Sequence, residues 1–269
     1  MKRLLIHAAL LGGAVATIIP LAWMVSASFM PQGEATRFPP RLVPSQVTFE
    51  HYQTLFTNLN LGRAFLNSLF VAIAATLLSL LVNSMAGYAF AKLRFAGRDR
   101  TFTLLVAALG IPAQVAMLPL FLLLKSLGLV NTYAGVLIPY IATIYGVFLV
   151  RQFMVSIPDD LLAAARIDGA SEWRIYWSVV LPTARPVLAT LAIFTFMSAW
   201  NDFMWPLIIL TDDEKYTLPV AVANLSGEHF PDLELMMASA VLTIIPVLAL
   251  FFALQKQYIA GMMAGSVKG

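Results

Sequence analysis

Few side chains in this 269-residue sequence are of a type and spacing that could carry out chemistry. The chain has no cysteine, and its three histidines, His7, His51 and His229, do not stand one helical turn apart, as metal-binding pairs do. Sequences of the HExxH and GxSxG types are absent, as is the G-x-x-x-x-G-K-[ST] loop that binds nucleotide phosphates. We therefore predict no catalytic residues, no metal site and no cofactor.

One acidic side chain, Asp202, follows Asn201 well inside an apolar stretch. A carboxylate is too costly to expose to lipid, so Asp202 must face a helix bundle or a water-filled path. Two interpretations stand equally: Asn201 and Asp202 belong to a translocation path, or Asp202 forms a structural hydrogen-bonding cluster with Asn201 and Trp200. Hydrogen bonding between helices is the better interpretation for three other polar residues in apolar stretches. These are Asn83, Ser84 and Gln114.

The elements that must position these residues are membrane-spanning helices. The chain is 60% hydrophobic and 12% charged, whereas soluble domains carry about 25% charged residues. Its mean hydropathy is +0.82. Six apolar stretches approach the roughly 20 residues that a helix needs to cross the hydrocarbon core. They cover residues 4–29, 64–91, 102–124, 133–150, 187–210 and 235–254. We predict an all-α membrane protein, with residues 1–269 as a single transmembrane domain.

The basic residues predict the orientation of these spans. If the N-terminus is cytoplasmic, twelve Lys and Arg residues lie on the cytoplasmic side and five on the other, as the positive-inside rule requires. Both termini are then cytoplasmic. The net charge of +3 does not indicate a nucleic-acid partner, because the charges gather in short loops. Lys2 and Arg3 also suit a signal peptide cleaved at residues 25–27, but the apolar run exceeds the about 7–15 residues usual there, which favours an uncleaved span.

A polar stretch at residues 151–185 is too regularly patterned to be a loose loop. Ser156 and Asp159 have the spacing of a capping box, with Pro158 in the first turn, so we predict that a helix begins there. Gly169 is expected to end it. A second helix should begin at Ser171 and end at residues 181–182. Its apolar stripe is expected to contain Trp173, Tyr176, Trp177 and Val180. Residues 156–182 are called the elbow segment below. An interfacial amphipathic helix is the alternative.

The elbow segment contains the sequence AAARIDGASEWRIYWSVVLP at residues 163–182. It resembles the EAA loop of ABC importer permeases, in which Glu-Ala-Ala is followed four residues on by Gly and later by Ile/Val-Leu-Pro. The resemblance implies a coupling helix that docks on a cytoplasmic ATPase. The matching residues are Ala164, Ala165, Asp168, Gly169, Leu181 and Pro182. Ala163 also belongs to this loop but stands at the position of the motif's glutamate, so one charged contact with the ATPase is missing.

Two further stretches indicate which group of ABC importer permeases the chain resembles. SAWNDFMWPL at residues 198–207 is similar to a signature of maltose-type carbohydrate permeases, and residues 255–269 resemble the C-terminal ending of their MalG-like subunits. The resemblance implies a type I ABC importer permease fold in a bacterial or archaeal inner membrane. It also implies a second, MalF-like permease subunit, a cytoplasmic ATPase dimer and an extracytoplasmic solute-binding protein, which the acidic segment 211–234 is placed to meet.

The implied function is that of half a translocation path for a sugar or oligosaccharide, with ATP hydrolysis on the partner ATPase. A permease for another small solute, such as glycerol-3-phosphate, is the alternative within this class. A secondary transporter or channel would require ion-coupling acids inside the bundle, and Asp202 alone is available. A membrane enzyme would require catalytic groups that the sequence lacks.

Overall fold

The computed structural model describes residues 2–228 and 232–266, and every regular element in these ranges is a helix. The α-helices are Lys2–Ala27, Glu50–Gln53, Leu61–Lys92, Arg98–Ala107, Ala113–Ser126, Tyr133–Ile141, Ile144–Val155, Asp159–Ile167, Glu172–Ile175, Leu181–Thr183, Arg185–Asn201, Met204–Ile209, Leu218–Glu228 and Leu233–Ser266. The other regular elements of the described residues are two π-helices, Thr54–Asn58 and Tyr176–Val180, and two 3₁₀ turns, Ala108–Gly110 and Asp213–Lys215. The all-α prediction is confirmed.

Four described helices are individually long and apolar enough to cross a membrane. They are Arg3–Ala27, Leu61–Lys92, Tyr133–Val155 and Leu233–Ala253, which correspond to the first, second, fourth and sixth predicted spans. The third and fifth spans come from two bent helix pairs, so the count reaches six if each pair is one span. Five of the six predicted stretches correspond to candidate spans, whereas the fifth, 187–210, overlaps only the second helix of its pair, Arg185–Asn201. The first helix of that pair, Glu172–Thr183, lies in the polar stretch 151–185.

The third span is broken into two helices. Arg98–Gly110 and Ala113–Ser126 meet at an angle of 106°. Pro112 has no backbone N–H, and its ring disfavours helical geometry at Ile111, which is extended with φ −89° and ψ 119°. The two residues therefore end one helix and start another.

The fourth and fifth spans are also interrupted. In the fourth, Ala142 and Thr143 are extended, and the Thr143 hydroxyl accepts a hydrogen bond of 3.1 Å from the Gly146 N–H, which caps the second half. In the fifth, Asp202 is extended and separates Arg185–Asn201 from Met204–Ile209. These interruptions leave backbone groups that neighbouring side chains must satisfy.

The chain divides into two compact units. One comprises Met1–Phe65 and Leu218–Leu248, and the other comprises Leu66–Thr217 and Ala249–Gly269. In the first unit, buried Glu34 accepts hydrogen bonds from the Arg41 guanidinium (3.0 Å) and the Ser45 hydroxyl (2.9 Å), which fix the segment after the first span. This segment ends in the short helix Glu50–Gln53 and the π-helix that follows it. His229 and residues 267–269 of the C-terminal motif lie outside the described ranges.

Candidate functional site

The first elbow helix, Asp159–Ile167, does not begin at a capping box, so that prediction is wrong. Ser156 lies at the C-terminal end of the preceding helix, and its hydroxyl donates a hydrogen bond of 2.7 Å to the Phe153 carbonyl. The residue before the new helix is Pro158, which offers no side-chain cap. Asp159 and Asp160 still place carboxylates in the first turn, where the helix dipole favours negative charge.

The first elbow helix ends at Gly169, as the sequence predicts. Gly169 has a φ of +79°, a left-handed conformation that costs glycine little. Its N–H donates to the Arg166 carbonyl, and the Ala170 N–H donates to the Ala165 carbonyl, both at 3.0 Å. This pair of hydrogen bonds is the Schellman motif. The backbone therefore turns sharply between the two elbow helices.

The second elbow helix, Glu172–Thr183, begins as predicted, because the Ser171 hydroxyl accepts a hydrogen bond of 3.3 Å from the Arg174 N–H. It continues one residue past Pro182, and a bend of 79° separates it from Arg185–Asn201. The predicted end at residues 181–182 is therefore slightly early. Pro182 lies in the first turn of the α-helical segment Leu181–Thr183, which follows the π-helix. A proline at such a position loses no intrahelical hydrogen bond, so Pro182 does not end the second elbow helix.

The predicted aromatic stripe of the second elbow helix is split between two faces. Tyr176 and Val180 are buried together with Ile175, whereas Trp173 is 57% and Trp177 is 45% exposed. Residues Tyr176–Val180 form a π-helix, whose wider turn shifts the spacing of their side chains away from 3.6 residues per turn. The two indoles pack edge to face, with ring centroids 5.8 Å apart, as an exposed aromatic pair.

The first elbow helix presents two different faces. Leu162 is buried and Ala165 packs against the same core cluster, which includes Val150 and Met154 of the fourth span. The opposite face and the turn expose small side chains and two large apolar side chains, Leu161, which is 44% exposed, and Ile167, which is 86% exposed. We call this the elbow surface, and it consists of Ala163, Ala164, Ile167, Asp168 and Gly169.

The structure thus brings four of the seven predicted coupling residues to the elbow surface. Ala165 and Leu181 instead pack against the core cluster, and Pro182 is exposed further along the second elbow helix. Sequence reasoning missed Ile167. Its signal was present, since an apolar residue four positions after Ala163 lies on the exposed face and out of phase with Leu162.

Three charged side chains of the elbow segment, Asp159, Arg166 and Glu172, form ion pairs. Arg166 donates to both carboxylate oxygens of Glu172, at 2.6 and 3.3 Å, which joins the two elbow helices. Lys92, at the end of the second span, donates to the Oδ1 of Asp159 at 2.6 Å. This hydrogen bond, with the charge of the ammonium group, lowers the pKa of the Asp159 carboxyl. Asp159 is therefore engaged within the chain.

Asp202 lies at the break of the fifth span, with both carboxylate oxygens engaged. Oδ2 accepts a hydrogen bond from the Tyr140 hydroxyl, and Oδ1 accepts one of 3.3 Å from the Trp205 N–H. The Trp205 indole donates to the Gly135 carbonyl at 3.2 Å. Asn201 is exposed and donates to the Met197 carbonyl of its own helix at 2.9 Å. This geometry favours a structural role for Asp202 and leaves Asn201 at an open surface.

The fold and the elbow together define an integral membrane transport subunit, and comparisons with known proteins agree. Residues 83–263 match the family of binding-protein-dependent transport system inner membrane components. The chain is 39% identical to the arabinooligosaccharides transport system permease protein AraQ of Halalkalibacterium halodurans, over 95% of this chain and 93% of AraQ. It is 36% identical to the diacetylchitobiose uptake system permease protein NgcG of Streptomyces coelicolor, over 97% of this chain and 86% of NgcG.

A solved structure gives the same result. A chain of a bacterial ABC transporter involved in the import of the acidic polysaccharide alginate superposes with a TM-score of 0.84 and 27% identity, covering 94% of this chain and 95% of that one. The protein therefore belongs to the family of binding-protein-dependent transport system inner membrane components. It is the membrane-embedded permease of an ABC importer and has the type I permease fold.

Proposed function

We propose that this chain imports a sugar or oligosaccharide, that it shares the translocation path with a second, different permease subunit, and that a cytoplasmic ATPase dimer drives it through the elbow surface. The observation that carries the proposal is the elbow surface itself. Its small side chains allow close backbone approach, and Ile167 is exposed where a monomeric chain gains nothing from it. Burying an isoleucine in a partner's cleft contributes about 1.5–3 kcal/mol.

The carbohydrate class is supported by the relatives. AraQ, NgcG and the alginate importer are each named for a saccharide. Their saccharides differ, so the class is proposed and a particular sugar is not. An extracytoplasmic solute-binding protein is expected to deliver the solute, in keeping with the family description.

The proposed orientation places the N-terminus, the C-terminus and the elbow segment in the cytoplasm. Its support is the contact between Lys92 and Asp159, because it brings the basic segment 92–100 and the elbow segment to the same end of the second span. The positive-inside rule requires this basic segment to be cytoplasmic. The elbow surface then faces the compartment that contains ATP.

The proposed path residues are Asn201 and Asp202, with different roles. Asn201 is exposed and can offer an amide to a sugar hydroxyl. Asp202 is held by Tyr140 and Trp205, so we assign it to the shape of the path at the break.

The experiment uses the chain assembled with its partner permease, ATPase and binding protein in proteoliposomes. Uptake of labelled oligosaccharides is measured with ATP inside the vesicles, and retention of the ATPase is measured by affinity purification through this chain. Ile167→Asp should weaken ATPase retention by about 10-fold or more. Val43→Asp, at a 74% exposed position in the segment after the first span and away from the elbow segment, should not.

Each result has a defined meaning. Uptake that needs ATP and a saccharide supports the proposal. Uptake that follows an ion gradient without ATP would indicate a secondary transporter. ATP-dependent uptake of a solute that is not a saccharide would overturn the carbohydrate class alone. Normal ATPase retention by Ile167→Asp would overturn the elbow surface as the docking site.

A further inference from the structure

Three polar side chains at the elbow end of the second span are spaced four residues apart. Ser84, Tyr88 and Lys92 lie at i, i+4 and i+8 of the helix Leu61–Lys92, and therefore on one face, over about 12 Å of its length. Each contacts a different part of the elbow segment. We propose that these three residues, called the polar ladder, fix the elbow segment to the second span and make this span the lever that carries elbow motion into the membrane. This inference rests on the coupling role proposed above.

The first rung is Lys92. Its side chain is only 5% exposed, and its ammonium group donates to the Ile157 carbonyl and to Asp159, both at 2.6 Å. A buried ammonium group is stable only when it is paired in this way. Lys92 therefore holds the start of the first elbow helix against the end of the second span.

The second rung joins three elements at one carboxylate. The Tyr88 hydroxyl donates to the Oε2 of Glu172 at 2.6 Å. The Arg166 guanidinium donates two hydrogen bonds to the same carboxylate. Arg166 belongs to the first elbow helix and Glu172 to the second. The Tyr88 contact therefore connects the span to both elbow helices at the turn between them.

The third rung is buried. The Ser84 and Tyr176 hydroxyl groups are 2.7 Å apart. Since the Ser84 hydroxyl also donates to the Leu80 carbonyl, Tyr176 is the donor in this pair. The Tyr176 ring lies 5.6 Å from the Tyr88 ring, so the second and third rungs are in contact.

The same helix carries further contacts beyond the ladder. The Asn83 Oδ1 accepts a hydrogen bond of 3.0 Å from the Thr143 N–H at the break of the fourth span. The Ser79 hydroxyl lies 3.2 Å from the Thr195 hydroxyl of the fifth span. A displacement of the elbow segment would thus reach both interrupted spans through the second span.

The covalent link between the elbow segment and the fifth span is a second route by which motion of the elbow segment could reach the membrane, and it is less rigid than the polar ladder. The elbow segment joins the fifth span through a 79° bend between Thr183 and Arg185, and a bend transmits force poorly unless its two arms are braced. The polar ladder holds the elbow segment against the second span at three positions along the helix. Tyr88 and Lys92 are thereby positioning residues for coupling and do not themselves contact the ATPase.

The test uses the complete importer in proteoliposomes and measures three quantities: ATPase retention, ATP hydrolysis and solute uptake. Tyr88→Phe removes one hydroxyl and keeps the ring, and Lys92→Met removes the charge at similar length. Both should retain the ATPase and hydrolyse ATP while uptake per ATP falls about fivefold to tenfold. Lys92→Arg, which keeps the charge, should recover most of the uptake. Tyr145→Phe is the matched control, since that ring is 45% exposed and packs on Phe194.

Two results would contradict the proposed coupling role of the polar ladder. Unchanged uptake per ATP in both variants would show that the contacts carry no motion. Loss of the ATPase together with uptake would show that they only support the docking surface. Failure of the proposed function is distinguishable, because the wild-type chain itself would then retain no ATPase. If Lys92→Met does not insert, Tyr88→Phe decides, since it removes a single oxygen atom.

Discussion

The Tyr140 hydroxyl donates a hydrogen bond to Asp202, and this contact joins the fourth span to the break in the fifth. The Trp205 indole joins the same two spans again through the Gly135 carbonyl, 3.2 Å away. Both Asp202 and Trp205 belong to the sequence signature at residues 198–207. A stretch that is similar to a carbohydrate-permease signature thus provides contacts between helices in this structure.

We expect Tyr140→Phe to destabilise the protein, because the Asp202 carboxylate would lose a donor in a part-buried site. The free energy of unfolding should fall by about 1–3 kcal/mol, as for other hydrogen bonds to carboxylates. Thermal unfolding in detergent measures this, with Tyr145→Phe as the control. Unchanged stability combined with lost uptake would instead indicate that Asp202 contacts the solute.

Gly169→Ala should destabilise the elbow through the backbone alone. An added Cβ would meet nothing within 4 Å, but the φ of +79° disfavours any residue with a side chain. The expected cost is about 1–2 kcal/mol. Gly169→Asn should cost less, since asparagine tolerates the left-handed region better. Thermal stability measures the cost and ATPase retention reports on the turn.

Gly12→Ala is the control for Gly169→Ala. Gly12 lies within the helix Lys2–Ala27, and a Cβ there also meets nothing within 4 Å. Alanine is the better helix former, so this variant should be neutral or slightly stabilising. Equal effects at the two glycines would contradict the backbone argument.

Gly87→Ala should weaken the packing between the second and fourth spans. The new Cβ would lie 2.7 Å from the Val150 Cγ1 and 3.1 Å from the backbone nitrogen of Arg151, so the two helices would have to separate. Overpacking of this kind costs about 1–3 kcal/mol. Thermal unfolding measures the loss, and the double variant Gly87→Ala with Val150→Ala should recover part of it. No recovery would indicate that the Arg151 backbone contact dominates.

The features that the sequence predicts correctly depend on local chemistry. Gly169 and Ser171 mark the turn because a left-handed residue and a helix cap require particular residue types at particular positions. The spans are predictable because the bilayer sets their length. The capping box at Ser156 fails for a related reason, since the same serine suits the end of the preceding helix and the chain continues that helix to Val155.

The features that the sequence does not predict depend on distant partners. Tyr140 and Asp202 are 62 residues apart, and Tyr88 and Glu172 are 84 apart, so no spacing rule relates them. The predicted aromatic stripe runs into a π-helix at Tyr176–Val180, and a π-helix has no reliable residue signature. The sequence correctly predicts that Asn83 forms a hydrogen bond between helices, but its partner, the Thr143 N–H at the break of the fourth span, is visible only in the structure.

The contact between Lys92 and Asp159 predicts a pH dependence of stability. The hydrogen bond and charge of Lys92 lower the pKa of Asp159, with smaller contributions of the same sign from Arg166 and Arg94, so the folded state binds this proton less readily than the unfolded state does. The stabilisation is therefore present above the unfolded pKa of about 3.9 and is lost as the pH falls through the lower folded value. Asp159→Asn should unfold at a lower temperature than the wild type at pH 7, and the difference should shrink below about pH 4. Asp160→Asn, at the neighbouring exposed carboxylate, is the control. A difference that persists unchanged at low pH would show that Asp159 contributes through packing rather than through its charge.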